Sequence, residues 1–223
     1  MAAPTPLEVA PAGLVPGRSL YLKREDAHEL GAFKWRGALP VLERYAAIGD
    51  ELLDQLDEPP AAVVVPVGNG ALLGGVGRAV LRRSPETLRV GVVAAAAPVM
   101  ADSWEAGRPV PSNSSATFAD GLAVRVAIPY AVETLSDVAT HMLRVSEREI
   151  AQAVAAFAEA GIRAEGAAAA GLAALPQLPD LAGPVVLVVT GHNIDDALLE
   201  RAQRARVVFR LVAVPASRAR TGG

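Results

Sequence analysis

The sequence has no cysteine and only three histidines among 223 residues. The first absence excludes disulfides, thiolate catalysis and cysteine-based zinc sites, and it suits a reducing cytoplasm, the expected location. His28, His141 and His192 stand far apart and form no HExxH pair, so no metal site is expected. Aromatic residues are scarce at 4% and the net charge is −3. The chain therefore offers neither stacking platforms nor a basic surface for nucleic acid. No apolar run reaches membrane-spanning length, and the N-terminus lacks the charged start and apolar run of a signal peptide. A G-x-S-x-G nucleophile elbow and a GK[ST] phosphate loop are absent as well.

What the chain does have is apolar bulk: 52% hydrophobic and 20% charged residues predict a packed core. The continuous apolar run at 61–66 reads as a strand buried on both faces, and 88–95 and 185–190 are two further buried-strand candidates. A short strand is expected at 20–23. Helical spacing follows at 33–47, disturbed by Pro40, and Gly49 is expected to break it before a second short helix at 50–56. Helices are also predicted over 71–82, 100–105, 167–175 and 195–204. Another begins at a capping box, Ser146 with Glu149, and ends near Gly161. Residues 109–117 read as a polar loop. Strands alternating with helices predict an α/β fold with a mainly parallel, twisted sheet flanked by helices.

Three places carry chemical interest. Lys34 sits between Phe33 and Trp35, bracketed by Gly31 and Gly37. A lysine is ordinarily a solvated helix residue, but partial desolvation lowers its pKa and yields a neutral amine able to form a Schiff base with an aldehyde cofactor. The run VVVPVGNGAL at 63–72 is a strand entering a glycine turn and a helix. Such a turn is either an ordinary connection or a cradle of N–H groups for an anion. Thr190-Gly191-His192-Asn193 follows the last apolar strand. Thr190 can present a hydroxyl to a ring nitrogen, or the turn is structural with Asn193 as a helix cap. Asp102, Asp120 and Glu165 are scattered and read as structural, and Arg82-Arg83 and the arginines of 201–206 as solvated helix faces.

Taken in order, these segments resemble fold-type II pyridoxal-phosphate enzymes, the tryptophan synthase β-like fold, and most closely the threonine/serine dehydratases. LYLKREDAHELGAFKWRGA at 20–38 is similar to that family's K-x-E-D…G-S-F-K-x-R-G-A, PVGNGALLGG at 66–75 to its phosphate loop, ADGLAV at 119–124 to the dehydratase branch, AEGAAAAGLAAL at 164–175 to E-P-x-G-A-x-x-x-A-A-L, and VVTGHNID at 188–195 to the strand ending S/T-G-x-N. The resemblance covers about residues 18–200. It implies pyridoxal 5′-phosphate as cofactor and Lys34 as the lysine that carries it and then acts as base at the substrate Cα. It also implies Phe33 beside the cofactor, Gly68, Asn69, Gly70, Ala71 and Leu72 around the phosphate, and Thr190 at the pyridine nitrogen. The implied reaction is β-elimination and deamination of L-threonine or L-serine to a 2-oxo acid and ammonia.

The sequence also departs from the family pattern. Ala32 replaces a serine before Phe-Lys; Asn69 and Ala71 replace loop glycines; Ala97 and Ser103 stand where metal-dependent relatives carry carboxylates. No S-x-G-N-H-like substrate loop lies between Gly37 and Gly68. The resemblance therefore implies a domain at 18–204 with a reduced small lobe at about 18–57, between a flexible segment at 1–17 and a tail at 205–223. A degenerate, non-catalytic cofactor-binding or interaction protein is the alternative reading. A homodimer or a partner chain would cover exposed apolar surface.

Overall fold

The computed structural model describes residues 5–11, 14–15, 19–27 and 41–209. Six strands form one sheet: β1 (Leu7–Val9), β2 (Leu20–Arg24), β3 (Ala62–Pro66), β4 (Leu88–Ala94), β5 (His141–Val145) and β6 (Val185–Val189), in the order β1-β2-β6-β3-β4-β5. Among the described residues only the β1–β2 pair is antiparallel. The α/β, mainly parallel architecture expected from the strand–helix alternation is what the chain adopts.

The valine runs build two cores at once. Successive strand residues face opposite sides, so Val64, Val90, Val92 and Leu187 enter one core while Val63, Val65, Val186 and Val188 enter the other. The first is covered by α5 (Glu147–Glu159), α6 (Gly166–Ala174) and α7 (Asp196–Phe209), the second by α1 (Val41–Asp54), α2 (Ala71–Arg83), α3 (Val99–Ala106) and α4 (Pro129–Val138). Every residue of α6 is buried; its alanines and glycines let it lie directly on the sheet. The capping box forms as read: Ser146 Oγ accepts from the Glu149 amide at 3.3 Å, and Glu149 Oε2 accepts from the Ser146 amide at 2.7 Å.

Four expectations change. Gly49 does not break a helix. One continuous helix, α1, replaces the two expected pieces, and Gly49 lies inside it against α2. A Cβ there would stand 2.7 Å from Ala79 Cβ and 2.8 Å from the Val76 carbonyl. Glycine is needed for close approach of the helices, which outweighs its poor helix propensity. Second, residues 7–9 of the N-terminal segment form β1 on the edge of the sheet. Third, the described parts of 18–57 form no lobe of their own: β2 pairs with β6 and α1 packs along α2. Fourth, α4 and the edge strand β5 are additional to the sequence reading. Pro129 at the first turn and buried Val132, Leu135 and Val138 explain α4. Among the described residues no helix is long and apolar enough to cross a membrane.

Candidate functional site

The site is built where the carboxyl ends of neighbouring parallel strands β3 and β6 meet, the usual position of a ligand crevice in such sheets. Past Pro66, the Val67 amide still bonds to the Val92 carbonyl at 2.8 Å, which holds the strand rigid up to the loop. Gly68 then passes so near a neighbouring segment that a Cβ would stand 2.4 Å from the Gly121 carbonyl oxygen. Gly70 takes φ +90°, the left-handed conformation that glycine allows. Ala71 has no such demand and begins α2.

The N-terminus of α2 has no side-chain cap and no acidic residue in its first turn. Its positive dipole end is therefore uncompensated by the helix itself. The Ala71 amide donates to Asn69 Oδ1 at 3.1 Å. A loop amide thus already turns toward an oxygen acceptor, as it would toward a phosphate oxygen. Leu72 is buried and anchors the first turn.

From β6, Thr190 reaches the same edge. It is 3% exposed, and its Oγ1 finds no hydrogen-bond partner among the described residues. Gly191 follows, its carbonyl accepting from the Glu165 amide at 3.1 Å. A Cβ on Gly191 would stand 2.8 Å from Glu165 Oε2. Glu165, structural by its sequence context, therefore has its carboxylate at the turn that follows Thr190. Gly121 belongs to the turn Asp120–Leu122 within the ADGLAV motif, so two segments singled out by sequence meet at Gly68. Gly121 and Glu165 lie in motifs that the sequence singles out, but neither is read there as a site residue; the close approaches of Gly68 and Gly191 bring them in.

The other polar residues have plainer roles. Asp102 pairs with Arg144, Arg82 with Asp50 and Arg83 with Asp54, the last two tying α2 to α1. Arg83 is thereby held above the ordinary arginine range, chiefly by its hydrogen bond to Asp54. Asp195 accepts from the first turn of α7, taking the Ala197 amide at 2.8 Å. In the KRED run, Lys23 is fully buried; its Nζ donates to the Thr5 carbonyl at 2.7 Å, Glu51 at 2.9 Å and Gln55 at 3.1 Å. Thr5 Oγ1 donates to Glu25 at 2.6 Å. These contacts clamp α1 and the N-terminal segment to β2. Lys34 and Phe33 lie outside the described residues. Arg24, the last residue of β2, is in register with Val189, the residue before Thr190.

A buried orphan hydroxyl, a glycine turn that a Cβ would fill and a helix N-terminus without a side-chain cap at Gly70 thus lie at the carboxyl edge of an open α/β sheet. The family model described as "Pyridoxal-phosphate dependent enzyme" matches residues 40–191. The chain belongs to that pyridoxal-phosphate dependent family, and it has the fold of the type II members. The L-threonine ammonia-lyase of Thermotoga maritima is 36% identical over 163 residues, covering 72% of this chain and 40% of that protein. The corresponding enzyme of Geobacter sulfurreducens is 35% identical over 158 residues, 70% of this chain and 39% of that protein. The chain thus spans about two fifths of these relatives. Among solved structures, the threonine deaminase of T.th. superposes with TM-score 0.79 at 26% identity, covering 86% of this chain and 93% of that one. Threonine deaminase isoform 2 of Solanum lycopersicum gives 0.83 at 20% identity, covering 92% and 88%.

Proposed function

We propose that the chain binds pyridoxal 5′-phosphate at the carboxyl edge of β3 and β6 and eliminates the β-hydroxyl of L-threonine or L-serine. The observation that carries this reading is the pairing of Gly68, pressed against the Gly121 carbonyl, with the partnerless Thr190 hydroxyl on the adjoining strand. The amides of the 68–72 loop and the α2 dipole hold the phosphate. The Thr190 hydroxyl would supply a hydrogen bond to the pyridine nitrogen, and the lysine motif implies Phe33 as a neighbour of the ring. When bound, the cofactor supplies an electron sink for charge developing at the substrate Cα.

Lys34 would hold the cofactor through its amine, and that amine, once free, would take the Cα proton. The Cα–H and Cβ–O bonds break and water leaves. Water then displaces the nitrogen from the released product, so the net products are a 2-oxo acid and ammonia. The second reading, a binding protein without turnover, is favoured by one observation: no S-x-G-N-H-like segment stands between Gly37 and Gly68 to position the substrate carboxylate. A homodimer fits the exposed Val126, Ile128 and Tyr130.

The test is purification with pyridoxal phosphate, borohydride reduction and mapping of the label, followed by a 2-oxo acid assay with each amino acid. Label on Lys34 with product supports the lyase. Label without product supports the binder. Label elsewhere, or turnover retained by Lys34→Ala, refutes the assignment of Lys34.

A further inference from the structure

The core-facing stripe of α1 runs Arg44, Ile48, Leu52, at the i, i+4, i+8 spacing of one helix face. Ile48 and Leu52 are fully buried, and Arg44 is only 7% exposed. Its Nε finds no hydrogen-bond partner among the described residues, and no ion pair with a described carboxylate accompanies it. A cation on an apolar stripe without a counter-charge is unfavourable and is relieved by an anion.

Neighbouring contacts locate that anion. Gly49 meets Val76 and Ala79, Asp50 meets Arg82 and Asp54 meets Arg83. The pairs ascend together, so α1 and α2 run parallel with their N-termini at one end. Arg44 precedes Gly49 by about 7.5 Å of helix, which brings it level with the first turn of α2. The sheet gives the same answer. Lys23, next to the end of β2, bonds to Glu51 and Gln55. Arg44 lies about 10 Å of helix before Glu51, beyond the carboxyl ends of the strands. Helical side chains lean toward their N-terminus, which carries the guanidinium further toward the edge holding Gly70, Ala71 and Thr190.

We infer that Arg44 is a charged donor to the phosphate monoester bound at the 68–72 loop, adding a cation to a cradle otherwise made of backbone amides. This rests on the cofactor reading above. A guanidinium presents paired N–H groups matched to phosphate oxygens. The uncapped α2 terminus and the Ala71 amide, now spent on Asn69, provide the remaining donors.

The test uses the full chain, with calorimetric titration of inorganic phosphate, pyridoxal phosphate and pyridoxal. Arg44→Met keeps the apolar stem and removes the charge. It is expected to weaken phosphate and pyridoxal phosphate on the order of tenfold or more, leave pyridoxal unchanged, and keep or raise the melting temperature of the ligand-free protein. Arg44→Lys is expected to recover part of the phosphate affinity. Equal loss for pyridoxal and pyridoxal phosphate, unaltered phosphate affinity with weaker threonine binding instead, or a lowered ligand-free melting temperature each overturns the inference. A wild-type chain that takes phosphate through Arg44 but shows no label at Lys34 supports the inference and refutes the catalytic reading. One that is labelled at Lys34 while Arg44→Met binds pyridoxal phosphate as tightly refutes the inference alone.

Discussion

Replacing Gly68 by alanine tests the geometry of the site directly. The new Cβ would stand 2.4 Å from the Gly121 carbonyl oxygen, where real Cβ contacts are essentially never under 3.0 Å. The loop and the turn must part by at least 0.6 Å, the difference of those two values. Neither side gives easily. The strand before Gly68 is held by the Val67–Val92 hydrogen bond. Gly121 is backed by α6, for a Cβ on Gly121 itself would meet Ala167 at 2.8 Å. Overpacking of this kind costs about 1–3 kcal/mol. A loss of about 2 kcal/mol lowers the melting temperature of a chain this size by about 4–8 °C. The displaced amides should also weaken pyridoxal phosphate more than pyridoxal. Gly171→Ala is the control: it lies inside α6 with its nearest neighbour at 3.6 Å, and removing a helix-interior glycine should stabilise by about 0.5–1 kcal/mol. Thermal unfolding and ligand titration read both variants. A Gly68→Ala chain that melts within about 1 °C of wild type and binds pyridoxal phosphate normally would refute this account of the loop.

Three further outcomes are expected. Lys23→Met removes the buried ammonium that Thr5, Glu51 and Gln55 share and should cost about 2–3 kcal/mol in urea unfolding, below the full value for a buried pair because Glu51 keeps some solvent. Ser146→Ala removes one half of the capping box at α5 and should cost about 1 kcal/mol by the same measurement. Glu105 is held below the ordinary glutamate range, chiefly by its hydrogen bond from Arg144. The pair therefore favours the folded chain above that range and loses its effect as pH falls through the lowered value. Because the carboxylate is exposed, the effect is read by NMR titration, where Arg144→Met should move Glu105 back toward the ordinary value.

The sheet and the glycine turn are legible in the sequence because their signals are local. The valine-rich apolar runs at 62–66 and 185–189 read as strands buried on both faces, and Ser146 with Glu149 marks a helix start without reference to anything distant. The glycines at 68 and 70 mark a turn for the same reason. Gly49 misleads because its signal is non-local: a glycine within a helical pattern ends the helix or admits a neighbour, and only Val76 and Ala79, nearly thirty residues on, decide between them. The motifs holding Glu165 and Gly121 are legible, but their nearness to Gly191 and Gly68 is not, because each approach joins residues far apart in sequence. The edge strand β5, HMLRV, has no unbroken apolar run to reveal it.

The continuity of α1 links these points to function. Its second half is ordinary core, with Ile48 and Leu52 buried against the sheet and Gly49 pressed on α2. Its first half follows the lysine segment, and the charge of Arg44 there has no described partner. Helices on either side of a parallel strand both run against it, so α1 and α2 are parallel by topology, not by chance. A helix that packs along α2 and ends by feeding β3 must then set its N-terminus beside that of α2. Both helix dipoles therefore point their positive ends at one crevice. On the proposed reading, that arrangement concentrates positive potential where the cofactor phosphate would sit and adds nothing where the substrate would. Affinity for a phosphate group is therefore the part of the proposal that the described residues support most strongly.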